Sequence, residues 1–111
     1  KVVGSLMEEE LVNLGLISMQ EIKTQGKLPA YKKYFMHGTS HHLGLDVHDV
    51  SNTKAPLVEG MVLTCEPGIY IPEENLGIRL ENDVLISKNG PIDLMDDIQI
   101  EAEEIEELMN V

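Results

Sequence analysis

Met61-Val-Leu-Thr-Cys-Glu66-Pro-Gly-Ile-Tyr-Ile71 and Leu76-Gly-Ile-Arg-Leu80-Glu81-Asn-Asp-Val-Leu-Ile86 stand on either side of Pro72-Glu-Glu-Asn75. Both arms are rich in Val, Ile, Leu, Thr and Tyr, and the four residues between them suit a turn, so the stretch predicts an antiparallel hairpin. With the turn centred between Glu73 and Glu74, residues whose numbers add to 147 face one another, which sets Glu66 opposite Glu81. Directly paired residues hold their Cβ atoms about 4.5–5.5 Å apart. Side chains alternate along a strand, so Thr64, Glu66 and Tyr70 share a face with Arg79, Glu81 and Asp83. Two carboxylates so placed repel unless something positive lies between them, and a divalent cation is the natural answer. The plainer reading is a pair of solvated side chains, and Pro67-Gly68 could add a bulge that slips the register. Against that, Val62, Leu63, Cys65 and Ile69 read as buried neighbours, an odd setting for a carboxylate.

Outward from the hairpin the patterns turn helical. Leu6, Leu11 and Leu14 recur at roughly helical spacing and predict a helix over Ser5 to Leu14 that Gly15 stops. Ser18 followed three residues later by Glu21 is a capping-box pattern for a short helix over Ser18 to Thr24, with Gly26 as its end. Tyr31 to Phe35 reads as one more helical turn. On the far side, Asn89-Gly90-Pro91 marks a turn and Ile92 to Met95 a short strand. A closing amphipathic helix over Glu101 to Met109 sets Ile105, Leu108 and Met109 on one face. Its acidic run, from Glu101 to Glu107, reads as a solvated face with charge crowding the first turn, where the helix dipole favours it. Helices, then strands, then a helix indicate an α+β arrangement.

The 111 residues suffice for one domain at most, and a hydrophobic fraction of 42% excludes global disorder. Eight basic against twenty acidic residues give a net charge of −12, which disfavours nucleic acid as a partner. No apolar run is long enough for a membrane span, and no secretory leader pattern opens the chain. The chain begins at Lys1 in what already reads as helix, so a fragment of a longer protein is expected. Cys65 is the sole cysteine; it excludes an internal disulfide, fits a reducing, cytoplasmic setting, and reads as a small buried residue, not a nucleophile.

All four histidines fall within His37-Gly-Thr-Ser-His41-His42-Leu-Gly-Leu-Asp46-Val-His48-Asp49. Imidazole is the usual nitrogen ligand of Zn and Mn-type ions, and carboxylates supply hard oxygens. His37 and His41 are four apart, but no Glu follows His37, so the His-Glu-x-x-His zinc-helix pattern is absent, and Gly38 and Gly44 favour irregular backbone. A lone histidine would more often belong to a core; a cluster followed by two paired carboxylates points to a site.

With the histidine block, Leu63-Thr-Cys-Glu-Pro-Gly-Ile-Tyr-Ile71 and Gly77-Ile-Arg-Leu-Glu81-Asn-Asp-Val-Leu-Ile86 on the page, the chain resembles the C-terminal catalytic half of the aminopeptidase P family, over about Tyr34 to Met109. The resemblance implies half of a pita-bread fold, with a curved antiparallel sheet and flanking helices. Prolidase is the closer rival, methionine aminopeptidases the more distant one, and a non-catalytic pita-bread binding module the alternative of a different class. It further implies two divalent ions, usually Mn²⁺ with Zn²⁺ or Co²⁺ as substitutes, held by five ligands of which His41, Glu66 and Glu81 lie here, Glu81 bridging. Glu66 doubles as general base, His48 contacts the scissile carbonyl, and His37, His48, Tyr70 and Arg79 serve the substrate, a peptide with proline second. Asp49 orients a histidine. His42 and Cys65 depart from the family's usual residues, so His42 is read as a wall of the site and not as a ligand. The family's two aspartate ligands lie upstream, and no aspartate precedes His37. The chain is therefore expected to be a partial catalytic domain, to hold at most one ion weakly, to be inactive alone, and to self-associate through open sheet edges.

Overall fold

Among the described residues Leu11 is the only large side chain with no exposure at all, and the helix that carries it sets the pattern of one compact unit of the molecule. The computed structural model describes residues 1–110. Helix α1 (Val2–Asn13) starts ahead of the expected Ser5 and is closed by Gly15, at φ 74°. The Gly15 N–H donates to the Val12 carbonyl and the Leu16 N–H to the Leu11 carbonyl, each at 2.9 Å, so two carbonyls of the last turn find partners. Helix α2 (Met19–Thr24) opens as its capping box predicts: Glu21 N–H donates to Ser18 Oγ (3.2 Å) and Ser18 N–H to Glu21 Oε2 (2.7 Å). A 3-10 turn over Ala30–Lys33 stands in place of the expected helical turn.

The two long arms of the hairpin are each divided. β1 (Val62–Cys65) and β2 (Gly68–Ile71) replace the first, and β3 (Leu76–Arg79) and β4 (Asn82–Ser87) the second; β5 (Gly90–Asp93) follows. Pro67 has no N–H to offer a ladder, so pairing lapses there and across from it, at Leu80 and Glu81. No residue is gained or lost at the break. Gly68 pairs with Arg79 and Cys65 with Asn82, so the numbers add to 147 on both sides of it, and the register read from the sequence holds. The turn between β2 and β3 is a 3-10 turn, Pro72–Glu74, released by Asn75 in the left-handed region (φ 51°).

Two compact units result. The first comprises Lys1–Thr39 and Pro67–Arg79, hence α1, α2 and the β2–β3 ribbon. Leu11, Ile17 and Tyr34 form its core, with Val12, Leu16, Ile22, Ile69 and Ile71 packed around them, and a Tyr70 N–H to Tyr34 carbonyl bond (2.9 Å) ties the ribbon down. The second comprises Ser40–Glu66 and the chain from Leu80 on; it holds the antiparallel sheet β1-β4-β5 and helix α3 (Ala102–Met109). Residues 41–43 add a further edge to β1, with Thr64 N–H on the His41 carbonyl and Leu43 N–H on the Val62 carbonyl, both 3.0 Å.

Burial is unequal. Every buried apolar residue described belongs to the first unit, whereas Thr64 is the one buried residue described in the second. Ile105, Leu108 and Met109, read as one face of α3, are exposed. Cys65 is exposed too, correcting the expectation of a core residue: alternation turns it to the face opposite Thr64, where Leu63 is half-buried but the end of β1 stays open. Among the described residues no helix is long and apolar enough to cross a membrane.

The Ser18 hydroxyl, and then the Ser18 N–H, hold the Glu21 carboxyl below the usual carboxylate range. A depressed folded-state value means the cap stabilises α2 above the unfolded carboxyl's titration and is lost as pH falls through the folded value. Protection factors of the α2 amides, taken relative to intrinsic exchange, should therefore fall as acidification protonates Glu21, and in Glu21→Gln that loss on acidification should be absent.

Candidate metal centre

His41 reaches its position by backbone pairing: it lies beside Thr64 across the edge of β1, and its N–H donates to Thr64 Oγ1 at 3.0 Å. Its ring is oriented by the main chain as well. Nδ1 is 3.0 Å from the His42 carbonyl, which can only accept, so Nδ1 carries the proton. Nε2 then faces Glu66 Oε1 at 3.3 Å. On a neutral ring that nitrogen presents a lone pair to a carboxylate oxygen, an arrangement that calls for a cation or a proton between them. Glu81 joins the pair: one donor atom from each of His41, Glu66 and Glu81 lies within 4.8 Å of the others. One nitrogen and carboxylate oxygens at this spacing suit a divalent ion of the Mn, Co or Zn type, whose bonds to such donors are about 2.0–2.2 Å. A ligating histidine whose other nitrogen donates to a carbonyl is the usual outer support of such a centre. The three residues read as ligands from the sequence are thus brought together.

His48 comes to the same place from the following loop. Its ring meets that of His41 edge-on, with centroids 4.4 Å apart and planes at 87°, and it is exposed. Asp49 shapes the loop: Oδ2 accepts from Leu45 N–H (3.0 Å), Oδ1 from Val50 N–H (2.8 Å), and its own N–H donates to the His42 carbonyl (3.1 Å). The carboxylate fills the space a Cβ on Gly44 would need, so the loop requires glycine there. Asp49 therefore acts on backbone N–H groups, where an interaction with a histidine ring was expected. His42 likewise contributes by its carbonyl more than by its ring.

The residues read as substrate-binding fall mostly in the first unit. His37 Nδ1 donates to the Gly38 carbonyl (2.6 Å), and Nε2 is hydrogen-bonded to Tyr70 OH (2.8 Å). Phe35 packs edge-on against His37, with centroids 5.0 Å apart. The Tyr70 ring lies over Gly77, where a Cβ would come within 2.9 Å of it. Arg79 stands at the end of β3, exposed and paired with Gly68. His37 and Tyr70 form one bonded pair, and Arg79 lies in the same unit.

Against known proteins, residues 3–88 match the model of metallopeptidase family M24. Human Xaa-Pro aminopeptidase 3 is 38% identical over 94% of this chain and 22% of its own length. The Xaa-Pro aminopeptidase of Escherichia coli K12 is 42% identical over 96% of this chain and 27% of its own. A zinc-substituted aminopeptidase P from E. coli, solved with product, superposes with a TM-score of 0.79 at 40% identity, covering 97% of this chain and 28% of that one. The chain thus spans about a quarter of the length of the relatives it matches.

Titration of the chain with Co²⁺, followed by its visible absorption, should show one bound ion. His41→Ala and Glu66→Gln should each weaken binding by at least about 10–100-fold, the loss that changes even outside the ligand set produce.

Proposed function

This chain belongs to metallopeptidase family M24, and on that footing we propose that it supplies part of the active centre of an Xaa-Pro aminopeptidase, which releases the first residue of peptides with proline in second position. The observation that carries the proposal is the His41 ring, fixed by the His42 carbonyl with Nε2 on Glu66 Oε1 and Glu81 within reach. His41, Glu66 and Glu81 would hold the metal, as their convergence supports. Mn²⁺ is the proposed metal, with Zn²⁺ or Co²⁺ able to replace it; zinc occupies the substituted E. coli enzyme. When bound, such ions would supply Lewis-acid chemistry that lowers the pKa of a water.

This chain's side chains do the remaining work. Glu66 takes the proton of the attacking water and passes it on toward the leaving amine. His48, exposed and held edge-on to His41, donates a hydrogen bond to the scissile carbonyl as negative charge develops on its oxygen. His37, Tyr70 and Arg79 are proposed to serve the proline side of the peptide; the Tyr70 hydroxyl 2.8 Å from His37 Nε2 and the Phe35 edge beside that ring give an aromatic, weakly polar surface.

Three ligands make an incomplete dinuclear centre, and two aspartates from elsewhere in the full-length protein are proposed to complete it. The short span relative to the relatives supports this. A cytoplasmic setting, where the lone exposed thiol of Cys65 stays reduced, completes the proposal.

The isolated 111-residue chain with Mn²⁺ should fail to cleave an Xaa-Pro peptide that the full-length enzyme cleaves, and Glu66→Gln in the full-length enzyme should lower kcat by about 10²–10⁴-fold. Cleavage by the chain alone would overturn the proposed division of the site.

The second unit leaves Leu80, Ile92, Leu94, Ile98 and Ile100 half or more exposed, or nearly so. Such a surface is proposed to drive self-association of the isolated chain. Light scattering should find dimers or larger species, and a stable monomer would count against it.

A further inference from the structure

Thr64 is the one polar residue described as buried, at 3% exposure, and a polar group held away from water needs all its hydrogen bonds. Its hydroxyl has a single proton to give. The His41 N–H, 3.0 Å away, can only donate, so Thr64 Oγ1 accepts there. The proton of Thr64 is thereby directed to its other neighbour, Glu66 Oε1, at 3.3 Å. That is the same carboxylate oxygen that faces His41 Nε2. Thr64 also donates its own N–H to the His41 carbonyl, so main chain and side chain together fasten His41 beside it. Alternation puts Thr64 and Glu66 on one face of the strand, which allows the hydroxyl of one to reach the carboxylate two residues on.

We propose that Thr64 is a positioning residue of the metal centre: its hydroxyl sets the distance between His41 and Glu66 and selects the Glu66 oxygen that meets the imidazole. The inference rests on the metal-site reading above. A hydroxyl at this point does what an apolar side chain of the same shape cannot. It accepts from a backbone N–H fixed by strand pairing and hands a proton to a carboxylate, so the orientation of the carboxylate becomes a consequence of the β1 register. Ligand groups fixed in this manner lose little freedom when an ion binds.

The test compares the chain with Thr64→Val and Thr64→Ser by Co²⁺ titration, read from visible absorption and by calorimetry, with amide exchange measured in metal-free protein. Thr64→Val keeps the branched shape and removes the hydroxyl; it should weaken Co²⁺ binding by about 10–100-fold and speed exchange at the His41 amide. Thr64→Ser restores the hydroxyl and should return both to within a few fold of the starting chain. A purely structural role predicts a changed unfolding temperature in one or both variants with unchanged Co²⁺ affinity, and that result overturns the inference. If the unsubstituted chain binds Co²⁺ but Thr64→Val binds it equally well, the inference alone falls. If the unsubstituted chain binds no Co²⁺, the metal-site reading falls and the inference with it.

Discussion

Glu66 and Glu81 can meet because one pairing register runs through the whole hairpin, on both sides of a break in its ladder. A strand's side chains alternate with a period of two, so a slip by one residue would turn one carboxylate to the opposite face and separate the pair. Pro67 makes such a slip conceivable by removing a donor, yet the pairs that bracket it, Cys65 with Asn82 and Gly68 with Arg79, keep the count. The lapse in pairing also falls at the carboxylates themselves, so neither Glu66 nor Glu81 is drawn into a regular ladder position. A second register, that of residues 41–43 along the other edge of β1, delivers His41 to Thr64 and so to Glu66. Two backbone alignments on either side of one strand therefore bring the proposed ligand set together.

What the sequence revealed follows the range of the interactions. The capping box of Ser18 and Glu21, the stop at Gly15 and the centre of the Pro72–Asn75 turn are local, and local chemistry decided them as read. The register followed from the turn. The division of each arm was not legible, because a proline in one strand predicts its own missing bond but not how far pairing lapses opposite. Burial of Cys65 was misread for a different reason: a residue's exposure depends on what covers its face, and no pattern within the strand carries that information. Backbone acceptors leave no trace in sequence at all. The His42 carbonyl that orients His41, and the N–H groups that engage Asp49, could be found only in the fold.

The distribution of burial says how each unit is held. Leu11, Ile17, Tyr34 and Phe35 give the first unit an apolar core, whereas the second has one buried residue described, and that residue is a threonine. The second unit adds to its half-buried strand residues the ladders of its sheet and hydrogen bonds of the Thr64 and Asp49 kind. Such bonds are modest singly, about 0.5–1.5 kcal/mol net, but their geometry is strict. A site needs strict geometry more than it needs depth.

The tautomer of His41 brings these points together. Because the His42 carbonyl claims Nδ1–H, the ring can turn only one nitrogen to Glu66, and the pair confronts acceptor with acceptor unless a positive charge intervenes. A proton on Nε2 makes the pair an ion pair; a divalent cation makes it the beginning of a metal centre. Neither state requires the ring to rotate, since its orientation is set by the main chain, nor the carboxylate to swing, since Thr64 engages the same oxygen. The cost of ordering these side chains is met during folding and not when an ion arrives, which is how a shallow site with few buried residues can still favour a cation.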